Sequence, residues 1–227
     1  MARKKTYNNL PDRLLFEKKA FDAGFKVVAG IDEAGRGPLA GPVVASAVIV
    51  RDTAFDERID DSKKMTQKMR ERAFLEILEK CDVGIGIAGV EEIDGLNIFN
   101  ATLLAMKRAI FELKSIPDHL LIDGKMRIPV DQPQVFLIKG ESVSVSIACA
   151  SIIAKVYRDS LMTDLDTMYP QYGFAKHKGY GTREHMDAIR KNGLCPIHRQ
   201  SFGPFGNMRG TKKNMYVYDR KHVDTWD

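Results

Sequence analysis

Cysteine is scarce in this chain, three in 227 residues, and Cys81, Cys149 and Cys195 stand far apart with no C-x-x-C pair. That excludes a disulfide framework and fits reduced, packed thiols, so a cytoplasmic location is expected. His119, His177, His185, His198 and His222 show no ligand spacing, which disfavours zinc. Long apolar runs are missing as well: the longest, Val43 to Val50, is far too short to cross a bilayer. The polar stretch from Arg3 to Arg13 has no apolar core of a secretory signal, so neither export nor membrane association is expected. No internal repeat and no low-complexity segment is found.

What is present is a hydrophobic content of 44%, enough to bury one substantial core. Lys and Arg outnumber Asp and Glu by 35 to 30, a net charge of +5 that favours a polyanionic partner without establishing one. The excess gathers in the C-terminal quarter, where Lys176, Lys178, Arg183, Arg190, Lys191, Arg199, Arg209, Lys212 and Lys213 face few acids.

Leu14 to Phe25 reads as a short helix and Lys26 to Ile31 as an apolar strand ending at Asp32. Gly35, Gly37, Pro38, Gly41 and Pro42 then turn the chain sharply into a β-branched strand, Val43 to Val50. Thr66 is placed to cap a helix whose Met69, Ala73, Ile77 and Cys81 recur at helical spacing, and Val83 to Ala88 alternates as a third strand. These strands suggest an antiparallel meander. Helices are predicted over Glu92 to Lys114, Ile147 to Leu165 and Thr182 to Lys191, the second apolar nearly all round and therefore central. Strands His119 to Ile122 and Val135 to Ile138 lie between them. The fold class is α/β, a mixed sheet covered by helices. The expected organisation is a segment over 1–25 with a short helix, a catalytic domain over 26–205 and a basic tail over 206–227.

Strand ends present acids: Asp32 with Glu33, then Asp123, and Glu141 just past Lys139-Gly140. In an open sheet such ends can converge on one crevice. Carboxylates gathered without His or Cys suit Mg²⁺ or Mn²⁺, and two such ions can clamp the oxygens of a phosphodiester during cleavage. Any one of these acids, taken alone, is more often a turn or cap residue. Asp32 and Asp123 each interrupt an apolar strand, however, where burial is costly without a cation. Gly35-Arg36-Gly37 superficially matches a dinucleotide fingerprint, but it leads into a strand rather than a helix. It fits better as backbone approaching a sugar-phosphate chain, with Arg36 available for phosphate or 2′-hydroxyl contacts. Asp61-Ser62-Lys63-Lys64 by itself reads as a solvated loop, and Arg158-Asp159 as an ion pair or a support to the site.

Taken together, the run from Gly30-Ile31-Asp32-Glu33-Ala34-Gly35-Arg36-Gly37-Pro38 to Ala45 resembles the signature of bacterial ribonuclease HII, the type 2 ribonucleases H. Further blocks agree in order: Asp61-Ser62-Lys63-Lys64; Glu92-Ile93-Asp94 with Asn97-Ile98; Asp123-Gly124; Lys139-Gly140 with Ser146 to Val156; Tyr169-Pro170 through Lys178-Gly179-Tyr180-Gly181-Thr182; and His198-Arg199 with Ser201-Phe202. The resemblance covers about residues 26–205.

The resemblance implies a ribonuclease H-like mixed five-stranded sheet with a C-terminal helical extension. It implies an endonuclease that cuts the RNA strand of RNA/DNA hybrids and single ribonucleotides embedded in duplex DNA, leaving 3′-hydroxyl and 5′-phosphate ends. Asp32, Glu33 and Asp123 fall on the family's metal-binding acids, which together with Glu141 make the expected catalytic set for Mg²⁺ or Mn²⁺. Gly35, Arg36 and Gly37 fall on its substrate-reading turn, Tyr180 on its junction-sensing tyrosine, and Lys63 and Lys64 on a basic pair near the cleaved strand. Glu141 departs from the family's usual Asp by one methylene, which leaves Asp159 as an alternative fourth acid. A monomer is expected. A transposase or resolvase sharing this sheet would want a separate DNA-binding domain, a type 3 ribonuclease H an additional N-terminal domain, and a non-catalytic hybrid-binding module no acids at strand ends.

Overall fold

The structure, a computed structural model, describes residues 13–203. The expected tail over 206–227 and the start of the N-terminal segment lie outside those residues. In chain order the elements are α1 (Leu15–Asp22), β1 (Val28–Ala34), β2 (Val43–Val50), a 3-10 turn (Ser62–Lys64), α2 (Gln67–Lys80), β3 (Cys81–Ala88) and α3 (Val90–Phe111). There follow β4 (His119–Asp123), β5 (Gln134–Leu137), a second 3-10 turn (Gly140–Ser142), α4 (Val145–Met168), α5 (Phe174–His177) and α6 (Arg183–Asn192).

The five strands form one mixed sheet in the order β3-β2-β1-β4-β5. Strands β1, β2 and β3 are the expected antiparallel meander, while β4 and β5 run parallel to β1. On one face α3 lies against β2 and β3, and its approach depends on Gly84 and Gly86. A side chain at Gly86 would meet the Ala109 amide at 2.5 Å, and one at Gly84 the Leu113 amide at 3.0 Å. On the other face α4 crosses β1 and β2, with α2 beside it against β3. This helix buries residues around its whole circumference, from Ile147 and Ala148 to Met162 and Leu165, as its unbroken apolar sequence predicts.

Local signals set the helix ends. Thr66 Oγ1 accepts from the Met69 amide at 3.3 Å to start α2, and Thr182 Oγ1 accepts from the His185 amide at 3.3 Å to start α6. Gly193, with φ of +76°, ends α6. Helix α1 is tied to α4 by a buried acid: Glu17 Oε1 accepts from the Ser146 amide at 3.0 Å and from the Ser144 and Ser146 hydroxyls.

Several boundaries differ from expectation for physical reasons. Strand β1 continues through Asp32 to Ala34, because Asp32 and Glu33 still pair with β2 opposite Ser46 and Ala45. Cys81 does not close the α2 stripe; it opens β3, opposite Val50. Helix α3 kinks at Asn97 (φ 67°), whose side chain caps the Asn100 amide at 3.1 Å and so restarts the helix. The short α5 has too few residues to show a period.

Candidate active site

The register of the parallel pair β1/β4 matches Ile31 with Ile122, so the next step along both strands sets Asp32 beside Asp123. Side chains alternate across a sheet, and two neighbouring parallel strands about 4.8 Å apart put these carboxylates on one face, toward the start of α4. Gly30 is what lets α4 lie so close there, since a side chain at that position would overlap the Ser146–Ile147 peptide.

Each acid is anchored from below. Asp32 Oδ1 accepts from the Glu33 amide at 2.7 Å, and Asp123 Oδ1 from the Gly140 amide at 2.7 Å. The second contact ties β4 to the 3-10 turn that carries Glu141, and so brings Glu141 to the pair. Burial, then the charges of Glu33 and Asp123, pushes Asp32 well above the usual carboxylate range. Burial also raises Glu33, against the pull of Arg36, and raises Glu141, with Asp123 adding to it. Glu33 Oε2 and Glu141 Oε2 are buried without a hydrogen-bond partner among the described residues. Asp159 is bonded to Lys155 Nζ at 2.8 Å.

Cationic side chains rim the acids. Arg36 Nη1 lies 3.2 Å from Glu33 Oε1 while the rest of its side chain is exposed. Lys63 is exposed too, and its charge lowers the carboxyls of both Glu33 and Glu141. Its turn is pinned by the Ser62 hydroxyl, 3.0 Å from the Ser151 hydroxyl on α4. Lys64 sits at the same turn, 3.7 Å from Asp61. The Tyr180 ring, 47% exposed, stands over Gly37: a side chain there would reach Tyr180 Cε1 at 3.7 Å. All ten expected site residues therefore lie around one cluster, and of the two candidates for the fourth acid it is Glu141 whose charge interacts with Asp123.

The structure also shows what two buried arginines support. Arg158 and Arg199 are fully buried and hold the turn from Gly35 to Pro42 by its carbonyls. Arg199 donates to Gly35 O at 2.5 Å, Arg36 O at 2.9 Å and Gly41 O at 2.9 Å, and Arg158 to Pro42 O at 3.0 Å and Lys178 O at 3.0 Å. Of the two roles expected for Arg158-Asp159, an ion pair or a support to the site, Arg158 takes the second through its carbonyl contacts, while Asp159 pairs with Lys155. Gly35, at φ +97°, has its α-carbon facing the Arg158 side chain, a position where a side chain is excluded by both space and backbone conformation. Beneath Tyr180, the widely spaced His177, His185 and His198 come together with Tyr172 and Phe174. Among the described residues no three His, Cys, Asp or Glu side chains stand close enough together to hold a metal ion as they are placed, and no helix is long and apolar enough to cross a membrane.

The family model for Ribonuclease HII matches residues 29–204, which include all of these side chains. The chain is 53% identical over 199 residues to a ribonuclease HII of Acetivibrio thermocellus, covering 87% of this chain and 78% of that one. It is 54% identical over 191 residues to a ribonuclease HII of Geobacillus kaustophilus, covering 83% and 73%. The solved ribonuclease H2 from Pyrococcus horikoshii OT3 shares the fold, with a TM-score of 0.69 at 23% identity over 81% of this chain and 97% of that chain. Family model, curated relatives and fold agree, and the chain belongs to the ribonuclease HII family of endoribonucleases.

Proposed function

We propose that this endoribonuclease hydrolyses the RNA strand of RNA/DNA hybrids and also cuts at single ribonucleotides embedded in duplex DNA, leaving 3′-hydroxyl and 5′-phosphate ends. In this reading Asp32, Glu33, Asp123 and Glu141 hold Mg²⁺ or Mn²⁺, two ions during catalysis. The observation that carries it is the pair Asp32 and Asp123, side by side on parallel strands with Glu33 and Glu141 gathered round them.

The residues fit such ions. The donors are hard oxygens, burial and then mutual repulsion raise Asp32, and burial raises Glu33 and Glu141 despite the charge of Lys63, while two buried oxygens lack a hydrogen-bond partner among the described residues. An open cluster suits Mg²⁺ better than a closed cage, because that ion keeps waters and takes one or two carboxylates together with substrate phosphate oxygens. When bound, the ions would offset charge on the phosphoryl oxygens and make a water acidic enough to attack.

The chain's own residues do the positioning. The Gly140 amide orients Asp123, and the Glu33 amide orients Asp32, so neither carboxylate needs to reorganise when a substrate arrives. Arg36, Lys63 and Lys64 are exposed beside the acids, where they can take phosphates of the cleaved strand. Gly37 leaves room for a sugar against the backbone, and the exposed Tyr180 ring above it can lie on the deoxyribose that follows the ribonucleotide, where a 2′-hydroxyl would clash.

The test uses a labelled duplex with one ribonucleotide, incubated with the purified protein in Mg²⁺, Mn²⁺ or EDTA. Cleavage at the ribonucleotide in either metal and none in EDTA is expected. Asp123→Asn should lose at least about a hundredfold in rate while still binding the duplex. Near-normal cleavage by Asp123→Asn, or cleavage in EDTA, refutes the assignment.

A further inference from the structure

Tyr180 is half exposed, so burial does not fix its ring, and its placement over Gly37 must come from its backbone. That backbone rests on buried imidazoles. The Tyr180 amide donates to His177 O at 2.9 Å, and the Tyr180 carbonyl accepts from the Thr182 amide at 2.8 Å and lies 2.9 Å from His185 Nδ1. His185 Nε2 lies 3.0 Å from His198 Nε2, and the Cys195 amide donates to His198 Nδ1 at 2.9 Å. Next to this chain, the His177 ring stacks on that of His185 with centroids 4.4 Å apart, and its Nδ1 accepts from the Gly179 amide at 3.2 Å.

These contacts fix the protons from both ends. A carbonyl only accepts, so His185 Nδ1 carries a proton and, in a neutral ring, Nε2 is the acceptor. An amide only donates, so His198 Nδ1 is the acceptor and its proton sits on Nε2. The two deductions are independent and agree at the contact between the rings, where His198 Nε2–H donates to His185 Nε2. His198 Nδ1 also lies 3.3 Å from the Cys195 carbonyl and 3.1 Å from Cys195 Sγ, but the shortest contact, at 2.9 Å, is from the Cys195 amide, which can only donate and makes this nitrogen the acceptor. Burial, then the neighbouring His185, holds His198 down to about 4, in keeping with a neutral ring.

We propose that His185 and His198 are positioning residues for the ribose-to-deoxyribose step: a relay of neutral imidazoles running from the Cys195 amide to the Tyr180 carbonyl holds Tyr180 at the junction. The inference rests on the reading of Tyr180 as the residue that senses that junction. A displacement of the ring by an ångström weakens discrimination without touching the carboxylates. A purely structural imidazole stack would instead affect all substrates alike.

Two measurements test it. In the unsubstituted protein at pH 7, ¹⁵N-resolved NMR should find the proton of His185 on Nδ1 and that of His198 on Nε2; the opposite tautomer or a charged ring at either residue overturns the relay. In kinetics, His185→Phe keeps a ring in the stack but loses the donor, and should cut cleavage at a single embedded ribonucleotide about tenfold relative to a continuous hybrid. His185→Asn, whose side-chain amide can occupy the place of Nδ1–H, should restore the ratio. Parallel losses on both substrates in His185→Phe, or no recovery with Asn, overturn the positioning role. Tyr180→Ala, run alongside, should shift the same ratio. If it does not, the reading of Tyr180 has failed and the positioning role falls with it, while the NMR result independently reports whether the imidazole relay exists.

Discussion

Alanine at Gly30 probes the contact on which the site is built. Gly30 lies two residues before Asp32 on the same face of β1, under the first turn of α4. An added methyl would stand 2.6 Å from the Ser146 carbonyl oxygen and closer still to the Ser146 carbonyl carbon and the Ile147 nitrogen. Carbon contacts settle at about 3.5–4.0 Å, so the helix start must retreat by about 1 Å or more, and it is backbone, not a flexible side-chain tip, that has to move. Overpacking of this kind costs roughly 1–3 kcal/mol, and an obstruction by backbone belongs at the upper end. For a chain of this size that lowers the melting temperature by roughly 5–10 °C. The retreat also carries Glu141, just before α4, and Ser151, which contacts Asp32 and Ser62, away from the carboxylate pair. A misplacement of that size costs about a hundredfold in rate. Thermal unfolding followed by circular dichroism, and cleavage of a duplex with one ribonucleotide, read the two effects. Gly95→Ala is the control: nothing lies within 4 Å of its added methyl on α3, so it should stabilise by about 0.5–1 kcal/mol and leave cleavage alone. If Gly30→Ala melts and cleaves like the unsubstituted protein, the close approach of α4 to β1 is not what sets the acids.

Arg199→Met should remove the donors to the Gly35, Arg36 and Gly41 carbonyls, cost at least about 3 kcal/mol and raise KM for the duplex; an unchanged KM in protein that still folds would detach Arg199 from the turn. Glu141→Gln should lower the cleavage rate strongly while Asp159→Asn, which frees Lys155 and removes a charge facing Lys178, leaves it within about twofold; the reverse ranking would make Asp159 the fourth acid. His198, held down to about 4 from 6.5, binds fewer protons folded than unfolded between those values. Its contribution is therefore complete above about pH 6.5 and is lost as the pH falls toward 4, by at most about 3 kcal/mol. Urea unfolding across that window should show a shallower pH slope in His198→Gln, and an identical slope would mean that His198 does not titrate there.

The sheet was legible because its signals are local. Val43 to Val50 is a β-branched run with turn residues before it, and its strand has those bounds. Asp32 and Asp123 stood out for the same reason: each interrupts an apolar strand, and only tertiary pairing was needed to set them side by side. Thr66 and Thr182 marked helix starts because a cap is a contact over three residues. The bound of β1 was misread since an acid looks like a strand end, whereas ladder pairing with Ala45 and Val44 outweighs the polarity of Glu33 and carries the strand on.

A support at Arg158 was one of two readings of the sequence, but what the supports hold was not legible, because a side chain that bonds a distant carbonyl leaves no period in the sequence. Arg199 reaches Gly35 across 164 residues, and Arg158 reaches Pro42 across 116. Three histidines without ligand spacing meet only because α5, α6 and the segment after Gly193 fold onto one another. The basic C-terminal quarter shows the consequence for function. Counted as charge, Arg199 belongs to a surface that attracts nucleic acid; buried, it fixes the backbone of the turn at Gly35 and Arg36. The same segment supplies Tyr180 and the imidazoles behind it. Electrostatic attraction is therefore only part of what this quarter does, and mutations that spare its charge but disturb its inward contacts should alter which phosphodiester is cut more than how tightly the duplex is held.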